Sequence, residues 1–321
     1  MPASAVVVIK IAAMFLVMVL GYAARRRDRI DAATTALLGA LTADVCLPAL
    51  TFGQLLATVD AARLRAGFLV PVLGALVILL GQLLGSLLRR FFATEAQAAT
   101  FVFVAAMANW IYLPLPIVQA LHGAAGVESL LLTNVGAQVV LWTAGIAVLR
   151  GGSLDRGAFA ALAKNPGLLA TAAGIAAALV LPKEAPAVLA YPGKALLEAI
   201  NLVGSLTVPL SLLVTGAQLG AVRISARPSP AALGVTLIRL LIAPAVTIAL
   251  AFAAKRAGLP LPSPATEITV LVAGMPVAVS CGILTARYRQ DTGLAAETIF
   301  VSTLGSIVTV PIVVWVFHRV V

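Results

Sequence analysis

The sequence predicts an all-α polytopic membrane protein with ten transmembrane helices, arranged as two inverted repeats of five helices. Three observations predict this fold. Of the 321 residues, 61% are hydrophobic and 11% are charged, whereas soluble domains carry about 25% charged residues. The chain contains ten apolar stretches of about 20 residues, the length that crosses a bilayer. A segment near the middle of the chain also matches a segment near its end.

The ten predicted spans follow one another with short connections. The first contains Lys10 and is too long for a cleaved signal peptide, so it counts as a span. The spans divide the chain into a first repeat (1–150), a cytoplasmic connecting loop (151–165) and a second repeat (166–321). In chain order the spans are 4–24, 34–56, 66–88, 98–121, 127–149, 166–182, 192–220, 231–254, 265–286 and 296–318.

Basic residues set the predicted orientation. The net charge is +10, but the basic residues form short runs beside apolar stretches rather than a patch with aromatic residues, so no nucleic-acid partner is expected. Thirteen basic residues in the odd-numbered connections against six in the even-numbered ones place the odd connections in the cytoplasm. The prediction is a multi-pass protein of the inner (plasma) membrane with both termini extracytoplasmic. The thirteen are Arg25, Arg26, Arg27, Arg29, Arg89, Arg90, Arg150, Arg156, Lys164, Arg223, Arg227, Arg287 and Arg289.

The sequence contains few residues that could form a catalytic or metal centre. Its two cysteines, Cys46 and Cys281, lie inside apolar segments, and its only histidines are His122 and His318. This set is too small for a disulfide or zinc framework. The short connections contain no nucleotide-binding glycine loop and no nucleophile–base spacing. We therefore expect no enzyme, no cofactor and no metal.

The two halves of the chain share a segment. Residues Glu128–Gly136 match Glu297–Gly305 in residue class at nine consecutive positions, so span 5 corresponds to span 10. Since each half has an odd number of spans, the second half must be inserted upside down, as in many secondary transporters. The alternative is chance similarity between two apolar segments of limited alphabet.

Spans 4 and 9 hold equivalent places in the two repeats, and prolines interrupt both. Span 4 contains Pro114 and Pro116, and span 9 contains Pro276 between Gly274 and Gly282. A proline removes a backbone donor and clashes with the preceding turn. Within a bilayer the freed backbone groups need protein, water or ligand as partners. Paired breaks therefore predict a midplane binding site whose half-helix N-termini face an anion, and the alternative is two ordinary proline kinks.

Four polar residues within the spans are candidates for function. Asn109 could donate hydrogen bonds to a carboxylate or cap a half-helix, and Gln138 could contact a ligand or a neighbouring helix. A carboxylate such as Asp44 costs about 2.5–3.5 kcal/mol at the centre of a membrane helix. Asp44 should therefore face a cavity and carry a proton or cation, lie near a helix end, or pair with Arg239. Arg239 itself could snorkel to the cytoplasmic interface or attract anions.

Six short motifs in order along nearly the whole chain carry a resemblance to a known family. They are Leu47–Phe52, Asn109 with Pro116 and Gly123, Asn165–Pro166, Thr207–Leu212 followed by Gly216 and Leu219, Met275–Val279, and Thr303 with Pro311. With these motifs the chain resembles bacterial members of the auxin efflux carrier family, which are related to the plant PIN carriers and share the fold of bile acid:sodium symporters. The resemblance implies broken helices 4 and 9 that cross at the centre, elevator-type alternating access and a homodimer.

The resemblance also implies a carboxylate site beside the crossing. Asn109 would contact the carboxylate, and Pro276 would be the crossover proline of span 9. Gln138 and Thr143 match two pocket positions in span 5, where the family has Gln and Tyr, and Thr51 matches a small hydroxyl in span 2. Ala108 replaces the crossover proline of span 4, and the family's acidic and lysine pair in span 3 is absent. The candidate substrate-binding residues are Thr51, Asn109, Tyr112, Gln138, Thr143, Pro276 and Val277, and the crossover candidates are Pro114, Pro116 and Pro276.

The predicted function is a secondary active or potential-driven carrier. It would export a small organic anion, auxin-like or a mono- or dicarboxylate, by alternating access. An inside-negative potential contributes about 2.3 kcal/mol per charge for each ~100 mV, so export needs no coupled ion. The alternative is a proton- or sodium-coupled symporter, with Asp44 as the coupling residue or with Thr133, Asn134 and Ser280 in a cation cage. A channel or a membrane sensor is the third hypothesis.

Overall fold

The computed structural model describes residues 3–152, 160, 163–181, 190–221, 227–259 and 264–321. Within these ranges the regular structure is helical, and the only β-type pairing is one isolated antiparallel bridge between Ala108 and Val277. Of the predicted connection 151–165, only residues 151–152, 160 and 163–165 are described. The charged residues Asp155, Arg156, Lys183 and Arg223 lie outside the described residues.

In the first part of the chain, up to residue 149, the second helix begins with a side-chain cap. The carboxylate of Asp31 accepts a hydrogen bond from the Thr34 N–H at 2.7 Å, so it caps the helix that follows. This carboxyl lies in the connection between the first two helices, and its hydrogen bonds with Thr34 lower its pKa. The helices are α1 (Ala3–Arg26), α2 (Ala32–Thr58), α3 (Ala61–Ala66), α4 (Val70–Phe92), α5 (Ala98–Ala106) and α6 (Pro114–Leu149).

The second part of the chain uses the same kind of cap. The side chain of Asn165 accepts from the Leu168 N–H at 3.0 Å, and Asp291 accepts from the Leu294 N–H at 2.9 Å. The helices are α7 (Pro166–Val180), α8 (Ala190–Ser205), α9 (Thr207–Ala221), α10 (Pro230–Arg256), α11 (Ala265–Ala273), α12 (Ser280–Arg287) and α13 (Thr292–Val320).

Six of the described helices are long and apolar enough to cross a membrane. They are Ala32–Thr58, Val70–Phe92, Pro114–Leu149, Gly193–Ala221 (most of α8 together with α9), Pro230–Arg256 and Thr292–Val320. Their outer faces carry large apolar side chains, and Leu76, Leu83 and Leu87 of α4 are each more than half exposed, as expected where lipid replaces water. The prediction of an all-helical, polytopic membrane protein is confirmed. The number of ten spans and their inverted relationship stay predictions, because broken helices such as α5, α11 and α12 are each too short to span a bilayer alone.

The long helices contain a break and three wider turns. Gly123 has φ +58° and ψ −147°, so α6 consists of two helical pieces, 114–122 and 124–149, and the break lies between predicted spans 4 and 5. This backbone conformation is one that only glycine adopts without strain. Segments of π-helix occur at Thr42–Cys46, Leu141–Gly145 and Ile238–Ile242. Such π-bulges occur frequently at functional sites, and these three contain Asp44, Thr143 and Arg239.

The helices pack in two groups. In one group α1 lies against α9, and α2 lies against α7, α8 and α9. In the other, α4, α5, α6, α10, α11 and α13 contact one another. Glycines allow close approach within each group: a Cβ at Gly216 would lie 1.9 Å from the Met18 carbonyl oxygen, and one at Gly136 would lie 1.7 Å from that of Pro71. Small residues at helix contacts are typical of membrane bundles.

Candidate functional site

Two interrupted helices cross at the centre of the second group. The chain between α5 and α6 and the chain between α11 and α12 run antiparallel to each other. The Asn109 N–H donates to the Pro276 carbonyl at 2.8 Å, and the Ala278 N–H donates to the Met107 carbonyl at 3.0 Å. Ala108 and Val277 face each other here and are fully buried. Each break thus supplies hydrogen-bond partners for some of the backbone N–H and C=O groups that the other break leaves without helical partners.

The three crossover candidates take different places. Pro276 lies in the crossing itself, where its carbonyl accepts from Asn109. Pro114 and Pro116 lie in the first turn of α6, where a missing N–H has no helical acceptor to lose. The interruption therefore occupies residues 107–113, ahead of both prolines, because a proline inside a helix removes a hydrogen bond and clashes with the preceding turn, whereas in the first turn it costs neither.

Arg239 lies beneath the crossing and is fully buried. Its Nη2 donates to the carbonyls of Val272, Ala273 and Met275, each at 3.1 Å, and its Nε donates to Met275 at 3.3 Å. These carbonyls belong to the C-terminal end of α11 and the residue pair that follows it. The hypothesis that Arg239 snorkels to the cytoplasmic interface is wrong, because no part of the residue is exposed. The hydrogen bonds of Arg239 also go to backbone oxygens rather than to Asp44, which was considered as its partner.

A cavity of about 390 Å³ lies beside the crossing. Four of the predicted substrate-binding residues, Thr51, Asn109, Tyr112 and Gln138, line it, and so does the predicted coupling residue Asp44. The structure thus brings together residues from α2, the crossing and α6. The predicted residues Thr143, Pro276, Val277, Pro114 and Pro116 do not line this cavity.

Asn109 has only 3% of its surface exposed, and its two amide atoms have different surroundings. Its Oδ1 accepts from the N–H groups of Tyr112 at 3.1 Å and Leu113 at 3.3 Å, just ahead of the second half-helix, 114–122. Asn109 therefore acts as a cap, which was the alternative to ligand contact. Since its oxygen is already used, Asn109 can bind a ligand only by donation from Nδ2, which suits an anion.

The two candidates on span 5 hydrogen-bond within their own helix. The Oε1 of Gln138 accepts from Nε1 of Trp142 at 3.2 Å, four residues along α6. The Oγ1 of Thr143 donates to the Val139 carbonyl at 2.7 Å, so this hydroxyl serves the π-helical segment. The Gln138–Trp142 bond is therefore not a contact between helices.

Several residues of the cavity wall were not among the substrate-binding candidates. Lys164, which is exposed, and Asn165, the cap of α7, lie at its edge. Asn134 and Trp142 lie one helical turn before and after Gln138, and the three form one face of α6. The buried Oδ1 of Asn134 has no hydrogen-bond partner. The four-residue spacing of this face and the Asn-Pro helix start are signals that could have identified these residues.

The electrostatic character of the cavity follows from the helix ends that reach it. The cavity wall includes the residues that lead into α6, the cap and first turn of α7, and the first turn of α12. Each helix N-terminus carries about half a positive charge. Lys164 adds one full positive charge and Asp44 one negative charge, so the helix ends leave the cavity positive. The amides of Asn109, Asn134 and Gln138 supply polar groups between apolar walls.

The two histidines lie away from this cavity. Nε2 of His122 is 3.2 Å from one carboxylate oxygen of Glu267, and Nε2 of His318 is 3.0 Å from the other. This contact joins the end of the 114–122 half-helix, the first turn of α11 and the last turns of α13. Among the described residues, no group of three or more His, Cys, Asp or Glu has an arrangement that could hold a metal ion.

Comparison with known proteins gives one family. The family model described as membrane transport protein, the domain of the auxin efflux carriers, matches residues 6–158 and again residues 156–314. The two matches together extend over nearly the whole chain. No curated protein matches the chain.

Proposed function

This chain belongs to the auxin efflux carrier family of membrane transport proteins, and on that basis we propose that it carries a small organic anion by alternating access. Membership makes the chain a multi-pass membrane transporter, and the family is not known as an enzyme family. The proposal adds the substrate class, the direction and the energy source. It places the protein in the inner (plasma) membrane with both termini extracytoplasmic, as the distribution of basic residues predicts.

The observation that carries the proposal is the positive cavity beside the crossing. Three helix starts and Lys164 reach it, against the one carboxylate of Asp44. Side chains already cap N–H groups at two of these helix starts, so the attraction for an anion comes from the helix dipoles together with Lys164. Its volume of about 390 Å³ falls in the range of small-molecule pockets. Leu131, Leu141 and Trp142 on its wall favour an organic acid with an apolar body, such as an auxin-like monocarboxylate, over a small inorganic anion.

The position of the cavity supports export. Lys164 and Asn165 at its edge belong to the connection that the basic residues place in the cytoplasm. In this orientation the cavity would open towards the cytoplasm, and the proposed carrier would take its anion from that side. The inside-negative potential then favours release outside by about 2.3 kcal/mol per charge for each ~100 mV.

The arrangement we propose for transport is ten spans in two inverted repeats, in a homodimer. The two packing groups support a division of the protein into a fixed scaffold and a moving transport part. The group of α1, α2, α7, α8 and α9 would be a scaffold that also forms the dimer contact, and the group around the crossing would move against it. The cavity lies between the groups, since α2 and α7 line one side and the crossing, α6 and α12 line the other.

A coupled symporter is the second candidate function, and Asp44 is the observation that favours it. Asp44 lies in the π-helical segment Thr42–Cys46 and lines the same cavity, so a proton or cation on its carboxylate would be close to a bound anion. Replacing Asp44 with Asn decides between the two. If pH-dependent uptake into proteoliposomes persists in Asp44→Asn, proton coupling through this residue is wrong.

The anion proposal is tested by thermal unfolding of the purified protein with a panel of carboxylates, including indole-3-acetate, benzoate and succinate. A ligand at about 100 times its Kd stabilises a protein by about 2.7 kcal/mol, so at least one acid should raise the Tm measurably. The same acid should have little effect on Asn109→Ala. The matched control Asn201→Ala, an exposed asparagine on α8, should respond like the wild type. If no carboxylate raises the Tm of the wild type, the organic-anion proposal fails.

A further inference from the structure

Arg239 places a positive charge at a point where a broken helix exposes its negative end. The guanidinium is fully buried, and its four hydrogen bonds go to the carbonyl oxygens of Val272, Ala273 and Met275. Arg239 itself lies in the π-helical segment Ile238–Ile242 of α10. The crossing therefore has a fixed cation that comes from a neighbouring helix.

A free metal cation would have the same partners. In transporters with discontinuous helices, unwound backbone carbonyls and the C-terminal ends of half-helices coordinate the coupling Na⁺. Val272 and Ala273 end α11, and Met275 follows it in the unwound segment. A guanidinium keeps its charge in a protein interior and donates in a planar fork, so Arg239 fills this position permanently.

The C-terminal end of α5, the counterpart of the end of α11 in the other broken helix, is covered by a neighbouring helix rather than by a charged side chain. Gly81 of α4 lies directly against it, and a Cβ there would be 2.6 Å from the Cα of Ala106 and 2.7 Å from the Ala105 carbonyl oxygen. The next carbonyl, that of Met107, accepts from the Ala278 N–H. Arg239 thus supplies donors at the end of α11, and α4 and the Ala278 N–H cover the end of α5.

We propose that Arg239 is a built-in replacement for a coupling cation, so that the crossing binds no free Na⁺ and the carrier operates without a sodium gradient. The inference refines the proposed function by removing sodium from its alternative mechanism. It concerns the crossing and leaves open whether Asp44, at the cavity, carries a proton.

Binding of radioactive sodium to the purified wild-type protein tests this directly. We expect no saturable binding, and equal Tm values in sodium, potassium and choline chloride of the same ionic strength. Saturable sodium binding that unlabelled Na⁺ displaces, or a Tm raised by sodium alone, would overturn the proposal. This measurement needs no variant.

Removal of the guanidinium tests whether a small free cation can take the place of the Arg239 side chain. Arg239→Ala leaves the α11 carbonyls without their donor, and we expect its Tm to fall by about 5 °C or more. Millimolar guanidinium or Na⁺ should restore part of this loss, and Arg239→Lys should retain part of the wild-type stability. The control Arg256→Ala, at the exposed end of the same helix, should show neither the loss nor the rescue.

Two results with these variants contradict the proposal. One is wild-type stability of Arg239→Ala, and the other is a loss of stability that no small cation relieves, since Arg239 would then serve packing alone. If Arg239→Ala does not fold, the sodium-binding experiment on the wild type still decides. None of these measurements uses an organic anion, so failure of the carboxylate screen alone would reject the proposed substrate class and leave this inference standing.

Discussion

Asn109 connects the crossing to the cavity through separate atoms. Its backbone N–H donates to Pro276, its side-chain oxygen accepts from Tyr112 and Leu113, and the residue lines the cavity. A substitution to alanine removes the cap and the amide donor together. To separate the two roles, the oxygen must stay while the NH₂ group is replaced.

Asn109→Asp makes that separation. The carboxylate keeps an acceptor for the two N–H groups and suits the start of a helix, but its charge is buried, so we expect the unfolding free energy to fall by up to about 2.5–3.5 kcal/mol. The variant loses the Nδ2 donor and places a negative charge beside the site. We therefore expect the affinity for the carboxylate that stabilises the wild type to fall about 10-fold or more. Thermal unfolding and equilibrium binding measure the two effects, and unchanged affinity in Asn109→Asp would exclude Asn109 as a ligand contact.

Lys164 contributes charge at the edge of the cavity rather than a buried contact. Its side chain is exposed, so its attraction for an anion is screened by salt and amounts to about 1 kcal/mol or less. Lys164→Gln should weaken carboxylate binding about 2- to 5-fold at low ionic strength, with a smaller difference at high salt. Lys194→Gln, at an exposed lysine outside the cavity wall, is the control. Equal salt dependence in Lys164→Gln and the wild type would show that Lys164 does not act on the substrate.

At the scale of helices, the prolines predicted that two membrane helices are interrupted but not where. The interruption of span 4 lies at 107–113, because Pro114 and Pro116 are favourable in the first turn of a helix and unfavourable in its interior. The crossing depends on hydrogen bonds between Asn109 and Pro276 and between Ala278 and Met107. These join residues more than 160 positions apart, so local sequence patterns do not reveal them.

The cavity residues also divide into those that the sequence could identify and those that only the structure reveals. Asn109, Gln138 and Asp44 could be named from the sequence because polar groups are rare in apolar spans, whereas Thr51 matches a position of the family and Tyr112 lies beside the break in span 4. Lys164 could not be named, since a connection between repeats looks like a solvated surface, and the Asn-Pro pattern marks Asn165 only as the start of a helix. Only the packing of α7 against α2 brings that connection to the cavity. The partners of Arg239 were missed because its acceptors are backbone carbonyls, which have no residue signature.

Gly123 gives a prediction about the turn between the two pieces of α6. Its φ of +58° and ψ of −147° strain any residue with a Cβ, although nothing lies within 4 Å of the added atom. Gly123→Ala should therefore lower stability by about 1–3 kcal/mol through the backbone alone. Gly193→Ala, in a helix with the same open space, should be neutral or stabilise by up to about 1 kcal/mol. Thermal unfolding compares them, and a Tm for Gly123→Ala equal to that of Gly193→Ala would show that this turn is not strained.

The whole molecule presents different groups at its two membrane faces. α11 runs from Glu267 towards the crossing, and α12 runs away from it, beginning at Ser280. The contacts of Glu267 with His122 and His318 join helix ends on the first side. The cavity, with Ser280 on its wall, lies on the second side, which Lys164 shares. This asymmetry is what a carrier trapped in one of two states would have.

Cysteine labelling tests that asymmetry and the orientation together. In a chain whose buried Cys46 and Cys281 are replaced by alanine, Ser280→Cys puts a thiol on the cavity wall, where residue 280 is exposed. Leu259→Cys puts one at an exposed position between α10 and α11, near the Glu267 side. A membrane-impermeant maleimide should label Ser280→Cys rapidly in inverted vesicles and Leu259→Cys only in intact cells.

A carboxylate that binds the cavity should slow the labelling of Ser280→Cys and leave that of Leu259→Cys unchanged, because it covers only the cavity thiol. Labelling of both thiols from the same face would contradict the inward-facing assignment, and a carboxylate effect on both would point to a global change rather than occupancy of the site.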